Sequence, residues 1–309
     1  MTEGGLQGRR CVVAGGAGAV GGLMVDLLLG AGADVVAVDV VAPAQAAPAC
    51  EYVRGDIRAM DARLIAEVER AGVVVLAVPE DVALAAVPAL ARRLRPAALI
   101  VDTLSVKTGI DAALAEHAAH LEALSLNPMF APDLGLEGRA VAAVVVRGGP
   151  RARALLEEVV RRGGRVVEVG ADEHDTIAAV TQALTHAAVL AFGVALEELG
   201  VGIDELAPLA TPPHATLLAL LARVSSGKPQ TYWHVQADNP HAQRARAALA
   251  AGVTTICDAV DRGAAGDFAA ALERARTALG PDRDAYAQLC RELFAVDGHV
   301  LSSATSAKG

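Results

Sequence analysis

RCVVAGGAGAVGGLMVDLLLGAGADVVAVD, residues 10–39, contains in order an apolar strand, a glycine-rich turn, an apolar helix and a second apolar strand that ends in an acid. In a nucleotide-binding βαβ unit, Gly16 permits the tight turn and Gly18 lets the backbone approach a pyrophosphate. Gly21 lets the helix pack closely on its strand. The stretch therefore predicts the first βαβ unit of a parallel sheet that binds a nucleotide.

The residues around this turn indicate the kind of nucleotide. Ala19 and Val20 begin the helix, whose free N–H groups and positive dipole end favour an anion. Asp39 is placed to accept hydrogen bonds from the adenosine ribose hydroxyls. No Arg or Lys follows Asp39 closely, so NAD is favoured over NADP. S-adenosylmethionine is bound by a similar turn and acid and stays an alternative, as does a glycine turn that binds no ligand.

Composition excludes several classes of protein. The chain has 309 residues, enough for two domains, and a formal charge of −9, which argues against nucleic acid or an anionic membrane as the main partner. No charge-free apolar run is expected to reach membrane-spanning length, and MTEGGLQGRR is not a signal peptide, so we expect a cytoplasmic protein. We expect no metal site, and buried free thiols at the four well-separated cysteines, Cys11, Cys50, Cys257 and Cys290.

Alternating strand and helix patterns fill the first half of the chain. Apolar runs predict strands at 73–78, 98–101, 121–126, 141–146 and 165–169. Residues 8–170 are therefore predicted to form a Rossmann-like α/β domain with a parallel sheet, bearing the cofactor. From 171 only helical patterns occur, so we predict an all-α substrate and dimerisation domain over 171–301, a homodimer formed through it, and a disordered tail over 302–309.

Ligands of such a sheet bind beyond the carboxyl ends of the strands. The glycine turn lies at one such end, and Val78, Pro79 and Asp102 follow two others. We expect these three residues to join the glycines and Asp39 in binding the cofactor. Asp102 and Lys107 are also expected to fix the geometry of the loop that they flank.

Four stretches together carry a family resemblance: DTLSVKTG (102–109), SLNPMFAPD (125–133), DEHDTIAAVTQALTHAA (172–188) and ATPPHATLLALLARV (210–224). In order and spacing they resemble bacterial prephenate dehydrogenases, and the resemblance extends from about residue 10 to about 295. It implies a Rossmann half, a helical dimerising half, and NAD-dependent oxidation of a cyclohexadienyl alcohol in which loss of the ring carboxylate drives aromatisation.

The resemblance implies roles for two residues of this chain. Ser105 matches the family's Ser that supports a catalytic His, and His186 matches the family's His on the long helix. Asn127 stands where the family has that catalytic His, and Ala215 where it has a carboxylate-binding Arg. Asn cannot accept a proton near neutral pH, so a general-base contribution of roughly 10²- to 10⁴-fold is absent. The Ala removes a charge-assisted carboxylate contact. We therefore expect a different small cyclic or aromatic substrate, neutral or cationic, as in specialised metabolism.

His186 is the best remaining proton acceptor, or else a hydrogen-bonded helix histidine with no chemical role. Asn127 is expected to position a substrate N–H or O–H, or to serve only the loop. The remaining predicted substrate contacts are Met129, Gln182, His214, Ala215 and Trp233.

Three of the predicted site residues keep an alternative. His214 either replaces a lost group or is solvated, Trp233 either stacks on a ring or packs a dimer interface, and Ser105 either belongs to the site or only caps its loop. The acids Asp172, Glu173 and Asp175 are expected to cap the long helix.

Two rival functions stay open: an S-adenosylmethionine-dependent methyltransferase acting on an aromatic ring with His186 as base, and a catalytically silent homologue.

Overall fold

The computed structural model describes residues 5–43 and 49–306, with side chains to residue 295. The chain divides into two compact units, Met1–Ala178 and Ala179–Gly309. The division falls inside the long helix, whereas the sequence predicts it at 170–171. The first two turns of that helix therefore belong to the first unit.

The first unit is built on one eight-stranded sheet. Its strands are β1 Arg10–Ala14, β2 Asp34–Asp39, β3 Glu51–Arg54, β4 Val73–Leu76, β5 Leu99–Asp102, β6 Glu122–Pro128, β7 Ala140–Arg147 and β8 Arg165–Glu168. Their order is β3-β2-β1-β4-β5-β6-β7-β8. The chain reverses direction across the sheet between β1 and β4, the switch point where such sheets bind ligands. The glycine turn follows β1 at that point.

Helices cover both faces of this sheet: α1 Ala19–Gly30, α2 Ala62–Arg70, α3 Glu80–Arg93, α4 Thr108–His117, α5 Pro150–Arg161 and α6 Ala171–Ala178. Alternate residues of one strand enter opposite cores, so Val74 packs in one cluster and Val75 in the other. Burial on both faces explains why the central strands are continuous apolar runs. The Rossmann-like architecture is confirmed.

Two features of the sheet differ from the prediction. β3 is absent from the predicted strands, because an edge strand with exposed Glu51 and Arg54 lacks a continuous apolar run. β7 pairs antiparallel with β6, although a parallel sheet is predicted. A direct connection over 129–139, with one 3₁₀ turn at Pro132–Leu134 and no crossover helix, permits only this direction.

The second unit is all-helical, as predicted. A π-helical segment, Ala179–Leu184, leads into α7 Thr185–Leu199, followed by α8 Ile203–Leu206, α9 Pro212–Ser225, α10 Pro229–Ala237, α11 Ala242–Asp261, α12 Ala265–Leu279 and α13 Arg283–Ser306. α13 continues through residues 302–306, where the sequence predicts a disordered tail. Residues 307–309 lie outside the described residues.

The run Ala171–Leu199 is long and apolar enough to cross a membrane by length and composition alone. The expectation that no run reaches this length is therefore wrong. Only 22% of its most apolar window is buried within the chain. Most of this run lies in the helical unit, and it exposes large apolar side chains such as Val180, Val194 and Leu199.

The cysteines are free thiols, as predicted, but their burial differs from the prediction. Cys11 is buried in β1, where desolvation raises the pKa of its thiol to about 12. Cys257 is exposed and Cys50 and Cys290 are half-buried. Only Cys11 therefore matches the expected buried position.

Candidate functional site

Gly15 makes the turn after β1. Its φ of +80° lies in the left-handed region, and a Cβ there would overlap the carbonyl oxygen of Ala77. A Cβ on Gly21 would in turn overlap the carbonyl oxygen of Gly15, so the start of α1 packs directly on the turn. Sequence reasoning gave the turn to Gly16 and missed Gly15, although the adjacent glycines in the sequence were the signal.

Gly16 and Gly18 have other roles. A Cβ on Gly16 would lie 2.6 Å from the Cβ of Ala37, so Gly16 lets the loop pack against β2. Gly18 precedes α1 in an extended conformation, and a Cβ there would meet only the Gly15 oxygen, at 3.3 Å. Ala19 and Val20 begin the helix, where backbone N–H groups lack partners within the helix. The loop thus presents a helix N-terminus behind a bare backbone, which suits a pyrophosphate.

Asp39 is fixed beside this loop at the end of β2. Its Oδ2 accepts from Ala17 N at 3.0 Å and its Oδ1 from Val41 N at 3.2 Å. Val78 and Pro79 follow β4 next to β1, and Pro79 caps α3. A carboxylate held beside a glycine loop fits the adenosine half of a dinucleotide.

Asp102 lies inside the protein rather than in this cradle. Its side chain is 1% exposed, and Oδ1 accepts from Lys107 Nζ at 2.8 Å and from Leu104 N at 3.1 Å. Lys107 is fully buried and also donates to Leu126 O at 2.8 Å. Burial lowers the pKa of Lys107, and the Asp102 carboxylate opposes that shift. The pair fixes the loop, as predicted, but the assignment of the Asp102 side chain to the cofactor is not supported.

Asp175 caps a different helix from the one predicted. Its Oδ1 accepts from Lys107 N and from His174 Nδ1, both at 2.8 Å. Its Oδ2 accepts from Thr108 N at 2.9 Å and Thr108 Oγ at 2.8 Å, at the start of α4. Burial by itself would raise the pKa of Asp175, but these hydrogen bonds, first that from His174, lower it. Asp172 and Glu173, by contrast, lie in the first turn of α6 as expected.

Asn127 is the second-last residue of β6, with its side chain 4% exposed, and its Nδ2 lies 3.1 Å from His174 Nε2. Sequence reasoning missed His174, although it stands beside Asp175 in the DEHD motif. Ser105, predicted to support position 127, is half-buried in the loop between β5 and α4, and the partner of the Asn127 amide is His174 instead. Met129 follows β6, and its N–H donates to Ala140 O at 3.0 Å.

His186 lies in the helical unit, half-buried on α7. Its ring meets that of Tyr232 edge to face, with centroids 4.9 Å apart. Burial and, second, Arg223 lower its pKa, which favours the neutral imidazole. Its buried Nδ1 has no hydrogen-bond partner among the described residues. Gln182 precedes it in the π-helical segment, a distortion that frequently marks functional sites.

The other residues predicted to contact substrate in this unit lie on α9 and α10. His214 packs edge to face on Phe192 with centroids 5.7 Å apart, and Ala215 follows it in the first turn of α9. The buried His214 Nε2 also has no partner within the described part of the chain. Trp233 is 67% exposed on α10, so Tyr232 is the aromatic residue that contacts His186.

Comparisons with known proteins agree with this architecture. The model of the prephenate dehydrogenase nucleotide-binding domain matches residues 43–143, and that of the prephenate dehydrogenase dimerization domain matches residues 170–274. The 4-amino-4-deoxyprephenate dehydrogenase of Streptomyces pristinaespiralis is 49% identical over 292 residues, which cover 94% of this chain and 98% of that protein.

Two solved structures share the fold. Prephenate dehydrogenase of Aquifex aeolicus, in complex with hydroxyphenyl propionate and NAD⁺, superposes with a TM-score of 0.63 at 17% identity, covering 87% of this chain and 96% of that one. Arogenate dehydrogenase of Synechocystis gives a TM-score of 0.58 at 17% identity, covering 89% and 99%.

The fold and the cradle therefore define a class, an oxidoreductase with NAD as its cofactor. The chain belongs to the prephenate dehydrogenase family. A methyltransferase that uses S-adenosylmethionine finds no support in these comparisons.

Proposed function

We propose that the protein oxidises a cyclohexadienyl amine of the prephenate type, 4-amino-4-deoxyprephenate, with NAD. The observation that carries the proposal is Asn127, a buried amide at the position where the family resemblance implies a catalytic His. The relative that is 49% identical over nearly the full chain is named for this substrate.

The reaction balances without an added reactant. The ammonium form of the substrate and NAD⁺ give the aromatic amine, CO₂, NADH and one proton. NAD supplies the hydride acceptor when bound, held by the loop of Gly16, Gly18 and Gly21 and by Asp39. Loss of the ring carboxylate as CO₂ makes the ring aromatic. The chain must therefore orient the amine and accept one proton.

Asn127 suits an amine better than an alcohol. Once the ammonium group has given up its proton, the nitrogen lone pair expels hydride more readily than a hydroxyl oxygen does. With that proton accepted elsewhere, a base at position 127 contributes less than the roughly 10²- to 10⁴-fold typical of general catalysis. The amide oxygen accepts an N–H and orients the amine. For the released proton we propose His186, whose lowered pKa favours its neutral form.

Ala215 is consistent with the same substrate. An Arg at this position would place a second cation in a site that receives an ammonium group, and like charges repel. The Ala at the start of α9 removes that repulsion. We propose Met129, Gln182, His214 and Trp233, the other residues predicted to contact substrate, as contacts of the remainder of the substrate.

We also propose a homodimer formed through the helical unit, in the cytoplasm. Exposed apolar side chains on its helices support the dimer, among them Val194 on α7, Leu220 on α9 and Ile256 on α11. The match of this unit to a dimerization domain supports it further. The four free thiols suit a reducing compartment.

The direct test supplies the purified protein with NAD and either 4-amino-4-deoxyprephenate or prephenate, and follows NADH and the aromatic product. We expect kcat/KM for the amine to exceed that for prephenate by roughly 10²-fold. Equal or faster turnover of prephenate would contradict the proposal.

A binding test separates the cofactors. NAD at 100 times its dissociation constant should stabilise the protein by about 2.7 kcal/mol, and NADP and S-adenosylmethionine should stabilise it far less. Stabilisation by S-adenosylmethionine without a response to NAD would remove the basis for hydride transfer.

A further inference from the structure

A chain of buried hydrogen bonds runs from α4 to the end of β6, entirely within the first unit. It passes from the Asp175 carboxylate through the His174 ring to the Asn127 amide. We infer that His174 is a positioning residue that fixes the orientation of the Asn127 amide and thereby selects an amine over an alcohol. The choice of an amine substrate rests on the proposed function, whereas the fixed orientation of the Asn127 amide rests only on these hydrogen bonds.

Asp175 fixes where the imidazole carries its hydrogen. Its two oxygens already accept from the N–H groups of Lys107 and Thr108 and from the Thr108 hydroxyl. A carboxylate surrounded by donors is ionised and only accepts, so His174 Nδ1, 2.8 Å from Oδ1, must carry a hydrogen. The carboxylate therefore holds the ring in one tautomer.

The tautomer in turn fixes the amide. With a hydrogen on Nδ1, the Nε2 of a neutral His174 carries a lone pair and accepts a hydrogen bond. Asn127 therefore turns its NH₂ toward Nε2, at 3.1 Å. The side chains of Asn127 and His174 are only 4% and 2% exposed, so water does not compete for this bond. This orientation assigns the amide oxygen of Asn127, which can only accept, to the contact with the substrate.

An amide held this way distinguishes the two kinds of substrate. The ammonium group offers only N–H donors, and it matches the Asn127 oxygen. A hydroxyl group both donates and accepts, so it tolerates either orientation of the amide. A fixed acceptor therefore favours the amine, whereas an amide free to turn would present its NH₂ and favour the alcohol.

Three variants test the inference with kinetics. His174→Phe removes the acceptor, and we expect the ratio of kcat/KM for 4-amino-4-deoxyprephenate to that for prephenate to fall roughly 10-fold, the effect of one hydrogen bond to a charged group. His174→Gln keeps a carbonyl acceptor toward Asn127, and it should retain most of the ratio. The matched control is His120→Phe, which removes a bond to Ala91 O at the other end of β6 and should leave the ratio unchanged.

Binding of NAD, followed by thermal shift, checks that each variant keeps its fold and cradle. The inference is overturned if His174→Phe binds NAD normally and keeps the wild-type ratio while Asn127→Ala changes it. If His174→Phe does not fold, loss of the ratio in His174→Gln comparable to that in Asn127→Ala overturns it instead.

A spectroscopic test does not depend on the substrate. In the wild-type protein labelled with ¹⁵N-histidine, the His174 signals, identified by their absence from His174→Gln, should report a protonated Nδ1 and an unprotonated Nε2 near pH 7.5. The opposite tautomer would overturn the inference. If the wild type prefers prephenate yet shows the expected tautomer, the proposed substrate fails while the fixed orientation of Asn127 stands.

Discussion

The cluster of buried polar side chains at the carboxyl edge of the sheet differs from the histidines of the helical unit in its hydrogen bonding. At the carboxyl edge of the sheet, Lys107, Asp175, His174 and Asn127 are buried and bonded to one another or to backbone. In the helical unit, buried nitrogens of His186 and His214 have no partner among the described residues. The hydrogen-bonded side chains of the first unit fix one another in position, whereas the two histidine nitrogens are available to a ligand.

Apolar surface shows the same contrast. The sheet strands pack into two large cores, while the buried cluster of the helical unit consists of Ala183, Val235 and Ala242. Many large apolar side chains of the helical unit are exposed. The first unit therefore has large cores of its own, whereas the second leaves much apolar surface exposed, which is the surface of the proposed dimer.

The largest effect is expected in the self-contained unit. Gly15→Val combines left-handed strain with overlap against Ala77 and should destabilise the protein by about 4 kcal/mol and abolish NAD binding. Urea unfolding and an NAD titration measure both effects. Gly22→Ala, whose Cβ would meet no atom within 4 Å, is the control and should be neutral or stabilising. Normal NAD affinity in Gly15→Val would contradict the assigned cradle.

Breaking the buried ion pair between Lys107 and Asp102 should lower the free energy of unfolding by somewhat less than Gly15→Val does. Lys107→Met leaves the Asp102 carboxylate buried without its cation, and we expect a loss of about 3 kcal/mol in the free energy of unfolding. Adding Asp102→Leu should recover much of that loss, because the uncompensated charge is removed. Lys228→Met, an exposed position, should change stability by less than about 0.5 kcal/mol. Equal effects of the two lysine substitutions would refute the structural role of the pair.

The proposed dimer is tested by charges placed on matched exposed valines. Val194→Asp on α7 should raise the dimer dissociation constant roughly 10²-fold, because a carboxylate would be buried in the interface. Val160→Asp on α5, at similar exposure in the first unit, should have no effect. Analytical ultracentrifugation over a concentration series distinguishes them. A monomeric wild type would contradict the dimer itself.

The smallest effect is a pH dependence. Hydrogen bonds lower the pKa of Asp175 in the folded protein, so its contribution to stability is present above its unfolded pKa and is lost as pH falls through the folded one. Asp175→Asn should therefore lose about 1 to 2 kcal/mol near neutral pH and show less additional loss below about pH 4. Asp133→Asn, at an exposed position, should follow the wild-type curve. Parallel curves for Asp175→Asn and wild type would contradict the assigned network.

The sequence predicts what is locally encoded. Apolar runs predict the buried strands, and the glycine spacing with Asp39 predicts the cradle, because each signal lies within one βαβ unit. The direction of β7, by contrast, depends on the connection over 129–139, which joins β6 directly to its neighbour and contains no crossover helix. The acid character of Asp175 predicts a cap for its own helix. Its partners Lys107 and Thr108 are far from it in sequence, so only the tertiary packing shows that it caps α4. His174 was missed for the same reason.

The central claim is that Asn127 adapts this scaffold to an amine. The most direct measurement is the ratio of kcat/KM for 4-amino-4-deoxyprephenate to that for prephenate in the wild type and in Asn127→His. A histidine restores a general base for alcohol oxidation, so the ratio should shift toward prephenate by roughly 10²-fold. A ratio that does not change would show that position 127 does not decide the substrate and would contradict the account.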